Sequence, residues 1–351
     1  MWGAARVDYA RGVITRKSTE DEGWLDDPVT QLRIRGEPSV FALPVVAPGT
    51  QLLVGAAEHC DLVLRDLQGR VSRLHAALIR GPHGWSLQDR ESSNGVWQDG
   101  ERRMAIELTP GMELTLGSLT LVVESERLVT LRAYLSRVLG WEPSRELDVE
   151  HGIQAARAMA TRRAGLVLCG DGDLSEVARR LHQLTLGEAR PFVICERGAA
   201  LPDGAATLCF VDDALPDDFT AVVERLTAAG ARARLIVCSP SRLDATDVMT
   251  QLGRAAMLEL PALATREHDL ERLIVSYAED AARALGASWH GFREHEMVWL
   301  SRVKLSSLWE IEDLARRVVA LRIWGVKGGA ERLGITHVAL SRWAKRRGIP
   351  T

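Results

Sequence analysis

Lysine is scarce in this chain, which takes almost all of its positive charge from arginine. Only four of the 44 basic residues are lysines, namely Lys17, Lys304, Lys327 and Lys345. ATPase domains with a phosphate-binding loop (P-loop) need a lysine that contacts the β- and γ-phosphates of the nucleotide. Any such domain between residues 18 and 303 therefore lacks the lysine that this chemistry requires.

Long apolar runs are also absent. No segment approaches the roughly 18 consecutive apolar residues of a transmembrane helix, and residues 1–17 lack the apolar block of a signal peptide. We therefore expect a cytoplasmic protein with no membrane partner. The net charge of −3 provides no general attraction to nucleic acid, so any such affinity must be local.

The cysteines form neither a disulfide framework nor a zinc motif. They are odd in number, widely spaced and without a C-x-x-C pair, at Cys60, Cys169, Cys195, Cys209 and Cys238. Four of them lie in apolar strand-like runs, where a thiol is a small buried hydrophobe with a raised pKa. No Gly-x-Ser-x-Gly elbow occurs either. We expect reduced thiols, no metal site and no catalytic nucleophile.

Hydrophobic patterning predicts a multidomain protein. Short alternating runs with frequent turn signals fill residues 31–124, which indicates an all-β sandwich. From residue 165, apolar strand-like runs alternate with amphipathic helices, the pattern of a parallel α/β sheet, and only helical patterns follow Pro261. The predicted division is an N-terminal extension (1–28), a β-sandwich (29–125), a linker helix (126–150), an α/β core (151–261), a helical lid (262–323) and a helix-turn-helix (324–351).

Two loops of the predicted sandwich carry small polar residues, Ser72-Arg73-Leu74-His75 and Ser92-Ser93-Asn94-Gly95. Turn chemistry alone accounts for these residue types. Together with VGAAEHCDLVLRD and LTPGMELTLGSLTLVV, however, they resemble the forkhead-associated (FHA) domain in the correct order. The resemblance implies phosphothreonine-peptide binding by Ser72, Arg73, Ser93 and Asn94, with His75 supporting the loops from beneath.

One residue departs from the FHA pattern. Where the family has Gly-Arg, with the arginine reaching the phosphate, this chain has Gly55-Ala56. A doubly charged phosphate then loses its strongest charge-assisted hydrogen bonds, for which Arg73 compensates only in part. Two interpretations stay open: the sandwich binds a phosphopeptide, or it serves for dimerisation or protein docking.

The segment LVLCGDGDLSEVARRLHQL contains a strand, a glycine-containing turn and a helix, which is the arrangement of a P-loop. With ATLCFVDD and ARLIVCSPSRLD, it makes residues 165–323 resemble the AAA+ domain of sigma-54-dependent enhancer-binding activators. The resemblance implies a P-loop-like parallel sheet with a helical lid, but several family residues are replaced. The replacements are Leu174 for the P-loop lysine, Asp212-Asp213 for Asp-Glu, Ser239-Pro240 for a Thr-Asn sensor and Glu312 for a lid arginine.

These replacements predict a scaffold without enzymatic activity and without a cofactor. Asp171 and Asp173 also place two carboxylates in the loop, where they repel a triphosphate. The G-A-F-T-G-A loop with which the family contacts the sigma factor is absent. The alternative is that Asp212 and Asp213 still hold a magnesium ion, although adjacent acids at a strand end are more often solvated.

The C-terminal segment GVKGGAERLGITHVALSRWAKRRGIPT carries six basic residues against one acid, Glu331. It predicts a short helix, a turn at residues 334–336 with Thr336 as N-cap, and a second helix ending at Arg347. The residues expected to face inward are Ala330, Leu333, Ile335, Val338 and Leu340. The order G-x-x-x-x-A-x-x-L-G-I-T followed by L-x-R resembles the Fis-type helix-turn-helix that ends the same activators.

If the second helix enters the major groove, His337, Ser341 and Arg342 face base edges, and Lys345, Arg346 and Arg347 face phosphates. The last three also suit the helix dipole without DNA, and Trp343 is either a packing anchor or a backbone contact. The whole resembles a bacterial transcription regulator that binds DNA as a homodimer, with the linker helix as a candidate dimer contact. The alternative is an FHA-based, phosphothreonine-dependent adaptor that does not bind DNA.

Overall fold

The computed structural model describes residue 24 and residues 27–37, 39–161, 164–198, 201, 206–211, 215–228 and 233–349. Asp212 and Asp213 lie outside the described residues, as does most of the predicted extension 1–28. The chain divides into two compact units, residues 1–131 and 132–351. Within the described ranges, no helix is long and apolar enough to cross a membrane, and no metal-binding group of three His, Cys, Asp or Glu residues occurs.

The first unit is a β-sandwich, as the alternating pattern predicts. One sheet has the order β2-β1-β11-β10-β7-β8 and the other the order β4-β3-β5-β6-β9. Their strands are β1 (Val29–Ile34), β2 (Val40–Ala42), β3 (Gln51–Gly55), β4 (Leu62–Val63), β5 (Ala76–Arg80), β6 (Trp85–Asp89), β7 (Val96–Gln98), β8 (Glu101–Arg103), β9 (Ala105–Glu107), β10 (Glu113–Leu116) and β11 (Leu119–Ser125).

Alternate residues of these strands form the core between the two sheets. In β6, Trp85, Leu87 and Asp89 are buried while the residues between them are half-buried. Leu87 pairs with Leu78 of β5, and both join a single apolar cluster with Leu114 and Leu121 of the opposite sheet. The core thus holds the two sheets together and leaves the connecting loops free at the ends of the sandwich.

The segment predicted as one linker helix contains more structure than expected. Helix α1 (Glu126–Leu139) ends before Gly140, whose φ of +120° breaks the helix, and a 3₁₀ turn (Pro143–Arg145) follows. A second helix, α2 (Glu146–Ala160), begins inside the predicted linker and continues beyond its end. Gly152 of α2 packs between Leu135 and Leu258, so α2 belongs to the α/β region.

The second unit contains the predicted parallel sheet, with the order β13-β14-β15-β12-β16. The strands are β12 (Gly165–Gly170), β13 (Phe192–Cys195), β14 (Thr207–Val211), β15 (Arg234–Ser239) and β16 (Ala255–Leu260). Helices α3 (Leu174–Leu186), α4 (Phe219–Thr227) and α5 (Arg242–Leu252) connect them. β12 and β15 are buried almost throughout because helices cover both faces of a parallel sheet.

The remainder is helical and has one shared core. A 3₁₀ segment (Leu263–Asp269) leads to α6 (Leu270–Ala284), α7 (Glu294–Leu300), α8 (Leu308–Leu333) and α9 (His337–Arg347). Helix α8 breaks at Gly325, where φ is +66°, and Gly329 then approaches Ala320 so closely that a β-carbon would lie 2.8 Å from its carbonyl oxygen. The predicted lid and C-terminal helices therefore pack as one body, with Leu273, Val319 and Leu340 in the same apolar cluster.

Candidate functional sites

Hydrogen bonds bring the two polar loops of the sandwich together. The backbone N–H of Ser93 donates to the Ser72 hydroxyl oxygen at 3.1 Å. The Asn94 side-chain amide donates to the Arg70 carbonyl oxygen at 2.7 Å. The four residues to which the resemblance assigns peptide binding, Ser72, Arg73, Ser93 and Asn94, thus share one end of the sandwich.

His75 lies fully buried beneath these loops. Its Nδ1 accepts a hydrogen bond from the Ser72 backbone N–H at 3.0 Å, and its Nε2 is 3.1 Å from the Gly95 carbonyl oxygen. The tautomer that satisfies both contacts carries its proton on Nε2. A neutral imidazole therefore connects the two loops from below, which is the supporting position implied by the FHA resemblance.

The loop after β3 contributes no cation to this site. Gly55 lies against the other loop, because a β-carbon there would be 2.3 Å from the Arg73 carbonyl oxygen. The backbone N–H groups of Ala56 and Ala57 donate to the carbonyl oxygens of Ser72 and Arg73, both at 3.0 Å. The Ala56 side chain is a methyl group, and the backbone N–H groups of Ala56 and Ala57 already donate within the protein. This loop therefore supports the site but offers a ligand no hydrogen-bond donor from these two residues.

The remaining donors are the Ser72 and Ser93 hydroxyls and the exposed Arg73 guanidinium. Among the described residues, none forms an ion pair or a hydrogen bond with that guanidinium. Leu74 and Trp97 are each 39% exposed at the same loops, and the Trp97 indole N–H donates to the Asn94 carbonyl at 2.7 Å. The site thus combines the Arg73 guanidinium, two hydroxyls and an apolar border.

The P-loop-like turn of the second unit is blocked by its own acid. The Asp173 carboxylate caps α3, accepting from the Glu176 backbone N–H at 3.1 Å and from the Ser175 hydroxyl at 2.8 Å. A helix N-terminus of this kind is where a phosphate would bind. Leu174, at the lysine position, is buried as the first residue of the helix. The arrangement satisfies the helix end internally.

A cleft of about 560 Å³ lies at the carboxyl ends of β12 and β16. Asp148, Asp171 and Glu259 contribute carboxylates to its lining. Arg145, which also lines it, forms an ion pair with Asp148 at 3.0 Å. Glu259 in turn pairs with Arg242 at 2.6 Å, and Asp171 is the third acid that a triphosphate in this cleft would meet.

Two further positions that the AAA+ resemblance singles out, Ser239 and Glu312, do not occupy the roles that it implies. Ser239 is fully buried and its hydroxyl donates to the Ser241 carbonyl oxygen at 3.1 Å, so it does not point into the cleft. Glu312 lies within electrostatic range of Arg180 and Glu176 on α3. Glu312 belongs to α8 and is not one of the residues that line the cleft.

All five cysteines are buried and free. Burial raises the pKa of Cys195 to about 11. The Cys209 and Cys238 sulfurs are 3.6 Å apart, and this hydrogen bond together with burial raises the pKa of the Cys238 thiol. Burial also raises the pKa of Cys60 and Cys169, so these two thiols and those of Cys195 and Cys238 are protonated at neutral pH.

The C-terminal turn has the predicted capping. Gly334 ends α8 in the left-handed conformation at φ +68°, and the Thr336 hydroxyl accepts from the Ala339 backbone N–H at 3.2 Å. Leu340 and Trp343 face the helical core, with Trp343 under the Arg317 guanidinium at 5.2 Å. Trp343 is thus a packing anchor, which settles the question that the sequence left open.

Most of the predicted DNA-contacting residues lie on the free side of α9. His337, Arg342, Lys345 and Arg346 are exposed and Ser341 is half-buried. Arg347 starts on the side of Leu340, and its carbonyl oxygen accepts from the Trp299 indole at 2.7 Å. We call the set of Val338, Ser341, Arg342, Lys345 and Arg346, which lies on the side of α9 away from Leu340 and Trp343, the basic face of α9.

Val338 corrects one sequence prediction. It was expected to face inward, yet it is 44% exposed. Residues two positions apart on a helix point about 200° apart, so Val338 and Leu340 cannot share a face. Trp343 fixes the side of Leu340 as the buried one, and Val338 is turned to solvent.

Comparisons with known proteins concern the N-terminal sandwich. A family model described as "Inner membrane component of T3SS, cytoplasmic domain" matches residues 35–127. The N-terminal unit is FHA-like. Among solved structures, the FHA domain of CT664 from Chlamydia trachomatis is 25% identical, with 27% of this chain and 95% of that chain covered and a TM-score of 0.24. The search of curated proteins finds no match.

Two further structures come from Mycobacterium tuberculosis. The Rv1747 FHA-1 domain is 22% identical, with 28% of this chain and 98% of that chain covered and a TM-score of 0.23. EmbR in complex with a low affinity phosphopeptide is 24% identical, with 28% of this chain but only 24% of that chain covered and a TM-score of 0.25. These matches cover little more than a quarter of the chain.

Sequence reasoning missed two acids that shape the loops of the FHA-like unit. The Asp66 carboxylate accepts from the backbone N–H groups of Arg70 and Val71 at 2.8 and 3.0 Å and from the Ser118 hydroxyl. The Ser118 hydrogen bond is the main reason why the pKa of Asp66 falls to about 2. The D-L-Q-G-R turn was the available signal, since an aspartate commonly accepts from its own turn.

Asp89 plays the same part for the second loop. It accepts from the Ser92 backbone N–H at 3.1 Å and pairs with Arg102 at 3.5 Å. Burial alone would raise the pKa of Asp89, but the hydrogen bonds from Ser92 and Arg102 lower it below its ordinary value. Each of the two polar loops is therefore held by a carboxylate that is ionised at neutral pH.

Proposed function

We propose that this protein is a DNA-binding regulator that docks a protein partner through its FHA-like unit. In this proposal the C-terminal helices are a Fis-type helix-turn-helix, and the α/β region with its lid is a degenerate AAA+ domain of the sigma-54 activator type. It acts as a homodimer in the cytoplasm, since such motifs bind paired half-sites. The middle region hydrolyses no ATP and serves as a scaffold.

The basic face of α9 carries the proposal of DNA binding. Arg342, Lys345 and Arg346 are exposed along one side of a helix whose opposite side, with Leu340 and Trp343, is buried in the core. A helix anchored in this way presents its cations to a groove without losing its packing. Each phosphate that a cation neutralises adds salt-dependent affinity for DNA.

The docking role is supported by the convergence of Ser72, Arg73 and Ser93 at one end of the sandwich. Two hydroxyls and one guanidinium suit an anionic group on a partner segment. Because Ala56 replaces the family arginine, the proposed ligand is either a phosphothreonine that is bound weakly or an unphosphorylated segment.

The scaffold role is supported by the absence of a usable P-loop. Asp173 occupies the N-terminus of α3, Leu174 fills the lysine position, and Asp171 adds a carboxylate to the cleft. We therefore expect the purified chain neither to turn over ATP nor to gain thermal stability from MgATP. A rise in melting temperature with MgATP would contradict this part of the proposal.

A salt titration tests DNA binding. The full chain and a labelled 30-base-pair duplex are mixed between 50 and 200 mM salt, and the dissociation constant is measured by fluorescence anisotropy. We expect a steep linear dependence of log K on log salt, and a slope flatter by about 1.8 in the Lys345→Ala/Arg346→Ala double variant, since each phosphate contact contributes about 0.9.

The matched control is Arg302→Ala, which removes an exposed arginine outside the basic face. It should leave the slope unchanged. Failure to retain duplex at 50 mM salt, or an equal slope in the double variant, contradicts the proposal. Point variants are preferable to a truncation after residue 323, because Ala330, Leu340 and Trp343 belong to the core of the helical region.

The second candidate function is a protein adaptor without DNA binding. The observation in its favour is the exposure of Leu74 and Trp97 beside Arg73, since aromatic, aliphatic and arginine side chains together are typical of protein contacts. In this case α9 serves packing alone. A chain that binds a degenerate phosphothreonine peptide library but retains no duplex would support the adaptor and exclude the regulator.

A further inference from the structure

Val338 is an apolar residue at the centre of the basic face of α9. Successive helix residues are rotated by about 100°, so Val338 points about 170° away from the mean direction of Leu340 and Trp343. Lys345 lies about 20° and Arg342 about 40° from it on the same side. Val338 is therefore as far from the core as a residue of this helix can be, with cations next to it.

Packing does not explain this position. Val338 is 44% exposed, whereas the buried side of α9 is already filled by Leu340 and Trp343. A β-branched residue also favours a helix less than alanine does. The Val338 side chain thus contributes little to the stability of the folded chain. It lies in the first turn of α9, the part that approaches base edges when such a helix docks on DNA.

We infer that Val338 reads the C5 methyl group of a thymine in the major groove, and that Arg342 reads a guanine nearby. This inference rests on the proposed DNA binding. The thymine methyl is the apolar group that the major groove offers, and arginine pairs with guanine O6 and N7. Val338 and Arg342 are one turn apart, about 6 Å along the axis, which corresponds to about two base-pair steps of 3.4 Å.

The charged residues near Val338 favour DNA over a protein as the ligand of this face. An apolar residue in a protein interface is usually surrounded by other apolar and aromatic residues, and charges are depleted at the centre of such contacts. On the same side of α9, the residues three, four and seven positions after Val338 are Ser341, Arg342 and Lys345, all polar or cationic. A polyanion with an exposed methyl group complements this surface better than an apolar protein patch does.

Selection from a duplex pool with twenty randomised base pairs, using the full chain, tests the inference. We expect the enriched element to contain a thymine within about two base pairs of a guanine. Replacing that thymine by deoxyuridine removes only the methyl group and should weaken binding about fourfold, the effect of one buried methyl group. Val338→Ala should bind the thymine and deoxyuridine duplexes equally well.

The matched control is Val298→Ala, which shortens a valine of similar exposure, 48%, on α7. It should keep the fourfold preference for thymine. The inference is overturned if the unaltered chain binds both duplexes equally, if the enriched element lacks thymine, or if no element is enriched. In each of these cases, salt-dependent retention of unselected duplex would still leave the proposed DNA binding intact. Loss of all duplex retention overturns both, and Val338→Ala disrupting association with a protein partner would assign the residue to a protein contact.

Discussion

The Arg73 carbonyl oxygen lies so close to Gly55 that a β-carbon at residue 55 would be 2.3 Å from it. This approach joins the loop after β3 to the loop that carries Ser72 and Arg73. The close approach also explains why residue 55 is glycine. Residue 56, which follows it, is alanine in this chain and the phosphate-binding arginine in the FHA pattern. The geometry of the proposed docking site is thus present in a loop that carries alanine where the FHA pattern has arginine.

Gly55→Ala tests this close approach. The obstacle is a backbone oxygen, which cannot swing aside as a side-chain end can, so we expect a loss of about 1–3 kcal/mol in the unfolding free energy of the N-terminal unit. Denaturant unfolding followed by intrinsic fluorescence measures it. Gly84→Ala is the control, since a β-carbon there meets no atom within 4 Å. Equal stability of the two variants would show that the loops move apart freely.

Ala56→Arg tests whether the loop can regain its function. Ala56 is exposed, so an arginine fits without displacing the core. A hydrogen bond to a charged group contributes about 1.5–3 kcal/mol, which corresponds to a gain of roughly 10- to 150-fold in affinity for a phosphothreonine peptide library. The affinity for the same library with unmodified threonine should not change.

Ala56→Gln is the matched variant, because it adds length and donors without charge. We expect it to gain much less than Ala56→Arg. Equal affinities of the two variants, measured by fluorescence anisotropy, would mean that the site does not receive a phosphate, and the docking of an unphosphorylated segment would then be favoured.

Asp66 makes the stability of the FHA-like unit sensitive to acid. Its pKa is lowered to about 2 in the folded chain, chiefly by the Ser118 hydroxyl, whereas an unfolded aspartate titrates near 4. A depressed pKa stabilises the folded state above about pH 4, and this stabilisation is lost as the pH falls from about 4 to 2. We expect Asp66→Asn, which cannot titrate, to lower the melting temperature at pH 5 and to flatten its decline between pH 4 and 2.

Asp99→Asn serves as the control for this titration. Asp99 is exposed in a turn with φ of +51°, a conformation that asparagine accepts well. Its melting temperature should follow that of the unaltered chain across the acid range. If the melting temperature of Asp66→Asn falls between pH 4 and 2 as steeply as that of Asp99→Asn, the Asp66 carboxylate contributes nothing to the stability of the loop.

The sequence predicted the layers of the fold more completely than its loops. Alternation at Trp85, Leu87 and Asp89 identifies a strand with one buried face, and apolar runs such as the one ending at Cys238 identify a buried parallel strand. These signals are periodic and local. Helix α2 was not predicted, because the linker prediction rested on the apolar spacing of residues 126–140, whereas α2 is defined by its packing, for example of Gly152 against Leu258 of the sheet.

The features that the sequence did not predict depend on tertiary packing, in part between residues that are distant in sequence. The hydrogen bond of Asp66 to Ser118 spans 52 positions and leaves no periodic trace. The inward assignment of Val338 continued an apolar pattern across the turn at Thr336, whereas the buried side of α9 is decided by the packing of Trp343. Side-chain pattern thus predicts which elements form, and tertiary packing decides which face each element shows.

Arg346 and Arg347 provide the last test, since they are adjacent cations with different positions on α9. Arg346 is exposed on the basic face, whereas Arg347 starts on the side of Leu340 and is half-buried. We expect Arg346→Ala to weaken binding to all duplex sequences alike and to flatten the salt slope by about 0.9, the contribution of one phosphate contact.

Arg347→Ala should have a smaller effect on the slope, because its side chain must pass around the end of the helix to reach a phosphate. The two variants have the same composition and net charge, so a general effect of charge would change their slopes equally. Equal slopes in a salt titration would therefore indicate attraction by net charge alone, whereas the expected difference places the DNA along the side of α9 that carries Arg342 and Lys345.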